Sequence, residues 1–373
     1  MTSPRRRVCV ITEIPPPYRT PVYERLAARD DLDLEVLFCA AEEPDRPWGA
    51  DASLARVPHR VLAGWAPTLR ARRNTFVYEI NPGIVSALQR GRYDVVVVGG
   101  YSVFAEQAAI VWARLTRTPY VLHSESHLLK VRASGLRKAK DLVLPRIVGT
   151  AAAGMAVGSL AAEYLAHYGL PRNRIRIVPN TVDVAGYAER AAAARARADE
   201  IRTRRGLPER FLVFAGRLVE AKGLTDLLAA LRSLGDAAPT VLVAGDGPLR
   251  AELDAAPHVV TLGFQSRDAL IELWALADAA VVPSRDEPWG VVVNEALACG
   301  CPVVATEAVG AAHDLILDGE NGRVVRTGDV ASLADALRGP FPQPTGPQPI
   351  DRWDYDLAET QFVEAVALAA GRP

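Results

Sequence analysis

Short apolar runs alternate along this chain with longer segments in which apolar residues recur every three to four positions. The runs "RVCVITEI" (7–14), "LDLEVLFCA" (32–40), "YDVVVVGG" (93–100) and "PYVLHSE" (119–125) are the right length for strands. Between them, "VYERLAARD" (22–30) and "VFAEQAAIVWARLT" (103–116) carry the helical period. Continuously apolar strands alternating with amphipathic helices predict parallel β/α units covered on both faces. After "AAGMAVG" (152–158), a helix at 160–170 and the strand "IRIVPN" (175–180), an Ala/Arg-rich stretch at 185–209 reads as helical and as a hinge region.

The pattern then restarts. Strands "FLVFAG" (211–216), "TVLVAGDG" (240–247), "VVTLGF" (259–264), "AAVVPS" (279–284) and "PVVAT" (302–306) alternate with helical segments. A Pro-rich run precedes a last helix at 356–370. The expectation is two doubly wound α/β domains and a tail helix. Open parallel sheets bind ligands beyond the carboxyl ends of their strands, so the natural site is a cleft between the two.

A chain of 373 residues suits two cores rather than one. With 49% hydrophobic and 23% charged residues it reads as a soluble globular protein. No run approaches the ~18 uninterrupted apolar residues of a membrane-spanning helix, and the N-terminal apolar run is too short for a signal peptide. The four cysteines lack metal-ligand spacing and read as small buried side chains, which points to the reducing cytoplasm. Charge is split: residues 1–180 hold 25 Lys/Arg and 16 Asp/Glu, and residues 181–373 hold 18 and 28. Either the halves serve different partners, or they attract each other. Nucleic acid is not expected, since no recognition motif occurs and one half is acidic.

The chemistry concentrates in the second half. In "FAGRLVEAKGL" (214–224), Arg217 and Lys222 follow Gly216 in a strand-to-helix loop, where helix amides already favour anions. A planar guanidinium and a mobile ammonium together suit a diphosphate. "VAGDGPLR" (243–250), with Gly247, lacks the third glycine of a dinucleotide fingerprint and argues against a nicotinamide oxidoreductase. In "SRDEPWGVVVNEALACGCPVVAT" (284–306), the amides of Gly290, Val291 and Val292 open a helix and form a second anion site. Glu287 precedes that helix and Glu295 lies in its second turn, unusual positions for charge in an apolar segment. Two cations, two carboxylates and two helix N-termini fit a sugar carried on a nucleoside diphosphate. Glu287 would reach the sugar and Glu295 the ribose hydroxyls.

These motifs, in this order with "LGF" and "DGENG", resemble the retaining GT-B glycosyltransferases of family 4, the glycosyl transferases group 1. The Glu287-x7-Glu295 element is the most specific mark, and "VPNTVD" (178–183) is similar to the family's interdomain motif with Thr181 in place of glycine. The resemblance implies an acceptor domain over 1–180, a nucleotide-sugar domain over 181–350, and a terminal segment 351–373 packing back on the first domain. It implies that Arg217 and Lys222 bind the donor diphosphate, that Glu287 contacts the sugar, and that backbone near Phe264 and Gln265 lies by the base. His123 matches a histidine that would orient the acceptor, with Glu125 as a further candidate for its hydroxyl. A UDP-sugar donor, retention, and no cofactor or metal ion are expected, because fixed cations can neutralise the leaving diphosphate.

One departure matters for the acceptor. "TEIPPPYRT" (12–20) stands where relatives carry a glycine pair, and proline removes amide donors. Tyr18 and Arg19 are then expected either to face the acceptor or to form a structural turn. Asp314 replaces a longer carboxylate. The basic segment Lys130–Arg146 carries six cations, and reads either as a solvated face or as a peripheral contact with an inner membrane surface. The acceptor is a small molecule or a lipid-linked or polysaccharide intermediate. The competing functions are a pseudo-glycosyltransferase coupling enzyme on the same fold and a non-catalytic nucleotide-sugar binder.

Overall fold

Val95–Val98 is buried along its whole length, as expected of a central parallel strand with helices on both faces. The computed structural model describes residues 5–42, 52–71, 74–129 and 134–371, with backbone alone at 52–53, 68–71, 74–77 and 134–140. The chain forms two compact domains, one of residues up to Val157 with 161–180 and 355 onward, the other of 158–160 and 181–354.

The first domain contains β1 (Arg6–Thr12), β2 (Leu32–Phe38), β3 (His59–Val61), a small antiparallel hairpin β4 (Thr68–Ala71) and β5 (Asn74–Val77), then β6 (Val95–Val98), β7 (Tyr120–Ser124), β8 (Ala153–Ala156) and β9 (Ile175–Ile177). The parallel sheet runs β3-β2-β1-β6-β7-β8-β9. Helices α1 (Thr20–Ala27), α2 (Ile84–Gly91), α3 (Phe104–Thr116), α4 (Ser134–Val148) and α5 (Ser159–His167) connect the strands. Val8, Val10, Val36, Val97 and Val121 form a core with Val22 and Leu26 of α1 and with Phe362 and Val366 of the C-terminal helix. That helix, 355–370, is tied to α1 and its exit by Arg25 and Arg29, which both bond Glu359 (2.8 and 2.9 Å).

The second domain opens with α6 (Val184–Ala196) and α7 (Ala198–Arg205), followed by β10 (Leu212–Ala215), α8 (Leu224–Leu234), β11 (Val241–Ala244), α9 (Arg250–Asp254), β12 (Val259–Gly263), α10 (Arg267–Leu276), β13 (Ala279–Val282), α11 (Val291–Ala298), β14 (Val303–Thr306), α12 (Ala312–Leu315), β15 (Gly322–Val325) and α13 (Val330–Leu337). Its sheet runs β12-β11-β10-β13-β14-β15. Leu212, Phe214, Val241, Val243 and Val281 pack with leucines of α8 and α13.

The Ala/Arg-rich stretch is not a loose hinge, because α6 packs on α10 and α11. The second domain also extends past residue 350, to Asp354. The 349–352 turn packs on α11 and α12, and the Trp353 ring stacks on Trp289 with centroids 5.4 Å apart. All four cysteines are buried free thiols. Among the described residues no helix is long and apolar enough to cross a membrane.

Candidate active site

In each sheet the strand order reverses direction beside the first strand, between β1 and β6 and between β10 and β13. Such a switch point leaves a crevice at the carboxyl ends of the strands. Both sets of candidate residues lie on loops at these two points.

In the second domain, Lys222 ends the loop after β10 and Glu287 lies on the loop after β13; Lys222 Nζ and the Glu287 carboxylate form an ion pair. Both are largely shielded, with side chains 21% and 13% exposed. Glycine is required beside Lys222: Gly223 has φ of +69°, and an added Cβ would lie 1.8 Å from the Pro283 carbonyl oxygen. This close approach clamps the two loops together, and Arg285 adds a fork onto Asp226 of α8 (2.6 and 2.5 Å). The far side of the Glu287 loop is held by backbone bonds to 308–311, among them Gly310 N to Glu287 O at 3.0 Å.

Trp289 and Asn294, both buried, bond each other at 2.9 Å and fix the start of α11. Gly290, at φ of +92°, turns the chain into this helix, and a Cβ there would come within 3.1 Å of Glu287 Cγ. Val293 N bonds Gly290 O (2.9 Å), so the preceding amides, including Val291 and Val292, are the open donors of a helix N-terminus. A cation, a carboxylate and a helix N-terminus therefore meet at one place.

Glu295 accepts from Tyr187 at 3.4 Å. Burial pushes its carboxyl up to about 7 from the ordinary 4.5, against the pull of Arg267 and the Tyr187 bond. Arg217 is exposed on the loop after β10. That loop and the next lie backbone to backbone, since a Cβ at Gly245 would fall 1.9 Å from Gly216 O and one at Gly247 2.7 Å from Leu218 O. Phe264, after β12, is 77% exposed. The Gln265 side chain is committed to the Leu262 carbonyl and to Arg205, each at 2.8 Å. Asp314 is also committed, accepting from the amide and hydroxyl of Ser159 (2.9 and 3.1 Å).

In the first domain, a pocket of about 240 Å³ sits at the ends of β1, β6 and β7 and is lined by Tyr18, Arg19, His123 and Glu125 among others. Arg19 does not stand free in it. Its guanidinium pairs with Glu125 and donates to Asn180 at 2.9 Å, while Asn180 donates to Glu125 at 3.2 Å. Burial alone would lower the Arg19 pKa, but Glu125 outweighs it and holds the group charged. Tyr18 lies under the guanidinium, 5.7 Å from ring centroid to Cζ. His123 is 8% exposed, and its Nε2 has no hydrogen-bond partner among the described residues. Burial and the neighbouring Arg19 push its pKa well down, so the ring is neutral.

Glu106 was not legible as a site residue. It accepts the Ser102 and Val103 amides (2.8 and 3.5 Å) at the start of α3 and lines the same pocket. Burial, then Glu13, pushes its carboxyl up to about 8. The sequence signal was its place three residues into a helix, the position that reaches back to cap. In the sequence Asn180 stands out only as part of "VPNTVD" (178–183). Of the basic segment, Lys130–Ala133 lies outside the described residues. Among the described residues no cluster of three or more His, Cys, Asp or Glu is placed to hold a metal ion.

Comparison with known proteins gives the family. Residues 209–339 match the model of the glycosyl transferases group 1, and residues 17–181 that of the glycosyl transferase 4-like domain. A D-inositol 3-phosphate glycosyltransferase of Thermomonospora curvata is 32% identical over 354 residues, covering 86% of this chain and 80% of that protein. The chain belongs to the glycosyl transferases group 1. A second relative, the sulfoquinovosyl transferase SQD2 of Arabidopsis thaliana, is 31% identical and covers 69% of this chain and 52% of its own. Among solved structures, Anabaena Alr3699/HepE in complex with UDP superposes with a TM-score of 0.68 at 19% identity, covering 97% of this chain and 99% of that one. The fold of this glycosyltransferase is therefore GT-B, with two Rossmann-like domains.

Proposed function

We propose that this glycosyltransferase takes a UDP-sugar and transfers the sugar, with retention and without a metal ion, to an acceptor hydroxyl. The observation that carries the reading is the meeting of Lys222, Glu287 and the α11 N-terminus at the switch point of the second sheet. Lys222 is poised to exchange its carboxylate partner for a diphosphate oxygen. With Arg217 and the α11 amides it would neutralise the charge that develops as the glycosidic bond breaks, the role a metal ion plays elsewhere. Glu287, released from Lys222, accepts hydroxyls of the sugar, and Glu295 accepts the ribose. The exposed Phe264 ring and the adjacent backbone offer a face to the base. The UDP complex of the Anabaena neighbour supports UDP as the nucleotide.

The first-domain pocket is the acceptor side in this reading. The neutral His123 offers Nε2 to a hydroxyl, and Glu125, fixed by Arg19 and Asn180, offers a second acceptor. Retention follows if the leaving diphosphate takes the acceptor proton on the face it departs from. Peripheral membrane contact belongs to the same reading: α4 leaves Leu142 and Val143 65% and 50% exposed, on a helix whose sequence is rich in Lys and Arg.

The test is donor turnover. UDP release from UDP-glucose and other UDP-sugars is followed with excess chelator, and the product's anomeric configuration is read by NMR. Turnover that needs an added divalent cation, or an inverted product, refutes the mechanism. Binding of UDP-sugars with no turnover for any acceptor leaves a nucleotide-sugar binder instead.

A further inference from the structure

Within the second domain, the Glu287 loop and the start of α11 are braced through one indole. Trp289 lies between Glu287 and Gly290 and is 2% exposed. Its ring N–H is held by Asn294 (2.9 Å), and its carbonyl oxygen accepts the Ala311 amide (2.8 Å). A Cβ on Gly158 would fall 2.3 Å from Trp289 Cζ3, so the ring edge is closed there. Trp353 covers a face of the ring, with centroids 5.4 Å apart and planes 9° from parallel, within the range of offset stacking. Trp353 follows the turn 349–352, beyond the last strand and α13. That turn holds its own shape: Gln348 N bonds the Asp351 carboxylate (2.7 Å), Trp353 N bonds Ile350 O (3.0 Å), and the Thr181 hydroxyl donates to Trp353 O. The Trp353 Nε1 is shielded and has no hydrogen-bond partner among the described residues. An unpaired buried N–H is costly, so this indole contributes its flat face and not its donor.

We infer that Trp353 is a positioning residue of the donor site: by stacking on Trp289 it fixes the peptides that aim the Glu287 carboxylate and the α11 amides. The route is short. Trp289 is two residues from Glu287 and adjoins Gly290, whose φ of +92° turns the chain into α11. The Glu287 and Trp289 carbonyls are held in turn by Gly310 N and Ala311 N, so a tilt of the indole reaches both bonds. Misplacing a reacting or positioning group by about 1 Å costs about 10²-fold in rate. The effect on turnover rests on the glycosyl-transfer reading above; the effect on the loop does not.

The whole chain is compared with four variants. Trp353→Leu and Trp353→Met keep bulk and remove the flat face, Trp353→Phe restores one, and Ile350→Val loosens the same turn while leaving the stack. UDP-sugar turnover, UDP affinity and amide exchange are followed well below each melting temperature. In Trp353→Leu or Trp353→Met, whichever folds, kcat should fall ~10-fold or more, against ~3-fold or less in Trp353→Phe and ~2-fold or less in Ile350→Val. UDP, which the loops after β10 and β12 also hold in this reading, should bind within ~3-fold of the parent throughout. The Val293, Gly310 and Ala311 amides, bonded to Gly290, Glu287 and Trp289, should exchange ~10-fold or more faster in the aliphatic variants while β11 amides stay unchanged. Turnover within ~2-fold of the parent in those variants, no recovery in Trp353→Phe, or an equal loss in Ile350→Val overturns the inference. A parent that turns over no UDP-sugar counts against the glycosyl-transfer reading instead. The exchange rates then decide, and unchanged exchange at the three amides overturns the inference.

Discussion

Lys222→Met keeps the apolar stem of the side chain and removes its charge, which separates two roles for the Lys222–Glu287 pair. The first is structural. The pair is largely shielded, at 21% and 13% side-chain exposure, so its loss should cost more than an exposed pair and less than a fully buried one. That places the destabilisation at about 1–2 kcal/mol. Glu287→Gln removes the orphaned charge, so the double variant should regain most of that stability.

The second role is chemical. A cation about 4 Å from the leaving oxygen, at an effective dielectric near 20, is worth roughly 4 kcal/mol, or ~10³-fold in rate. Removal of one preorganised donor typically costs ~10²–10³ in kcat. Lys222→Met should therefore lower UDP release by ~10²–10³, and the double variant should stay as slow or slower although its stability has returned. Urea midpoints and coupled UDP release measured on the same four proteins complete the cycle. Recovery of activity together with stability in the double variant would show the pair to be only a strut. A loss of less than about 5-fold in the single variant would have the same consequence.

Three further outcomes are expected. Glu295 has its carboxyl raised from 4.5 to about 7 by burial, so its protonated form stabilises the fold. That contribution is complete below pH 4.5 and is lost as pH rises through 7, amounting to about 2 kcal/mol for a side chain that keeps some water contact; Glu295→Gln should flatten the stability profile across that window, and an unchanged profile refutes the assignment. Gly223→Ala places a Cβ 1.8 Å from Pro283 O at a φ of +69° and should cost at least ~2 kcal/mol in urea unfolding; a cost under ~0.5 would mean that the two loops are not clamped. Leu142→Ser with Val143→Ser should reduce sedimentation with anionic vesicles at least ~3-fold, and salt should weaken binding of the parent chain; vesicle binding that ignores both changes argues against α4 as the contact.

The hydrophobic pattern made the central strands legible because parallel strands such as Val95–Val98 are buried on both faces and carry no polar alternation. It missed β3 and β15, short edge strands whose sequences "HRV" and "GRVV" hold too few apolar residues to stand out. The donor-side candidates were legible for a different reason. Arg217, Lys222, Glu287 and Glu295 are charged residues in apolar or glycine-rich surroundings, where a purely structural residue would be apolar, so composition alone exposes them.

The first-domain pocket offered no such contrast. Glu106, Glu125 and Asn180 come from three distant parts of the chain and meet only because the sheet places β1 between β2 and β6 with β7 next in line. Strand order is set by which helices cover which face, a property of the whole domain that no local window contains. The same fact explains why Arg19 was open to two readings in sequence. A cation in a proline turn is a candidate ligand until its partners are known, and Glu125 lies 106 positions away. With those partners in place Arg19 becomes a positioning residue, held with Glu125 and Asn180 in one hydrogen-bonded cluster.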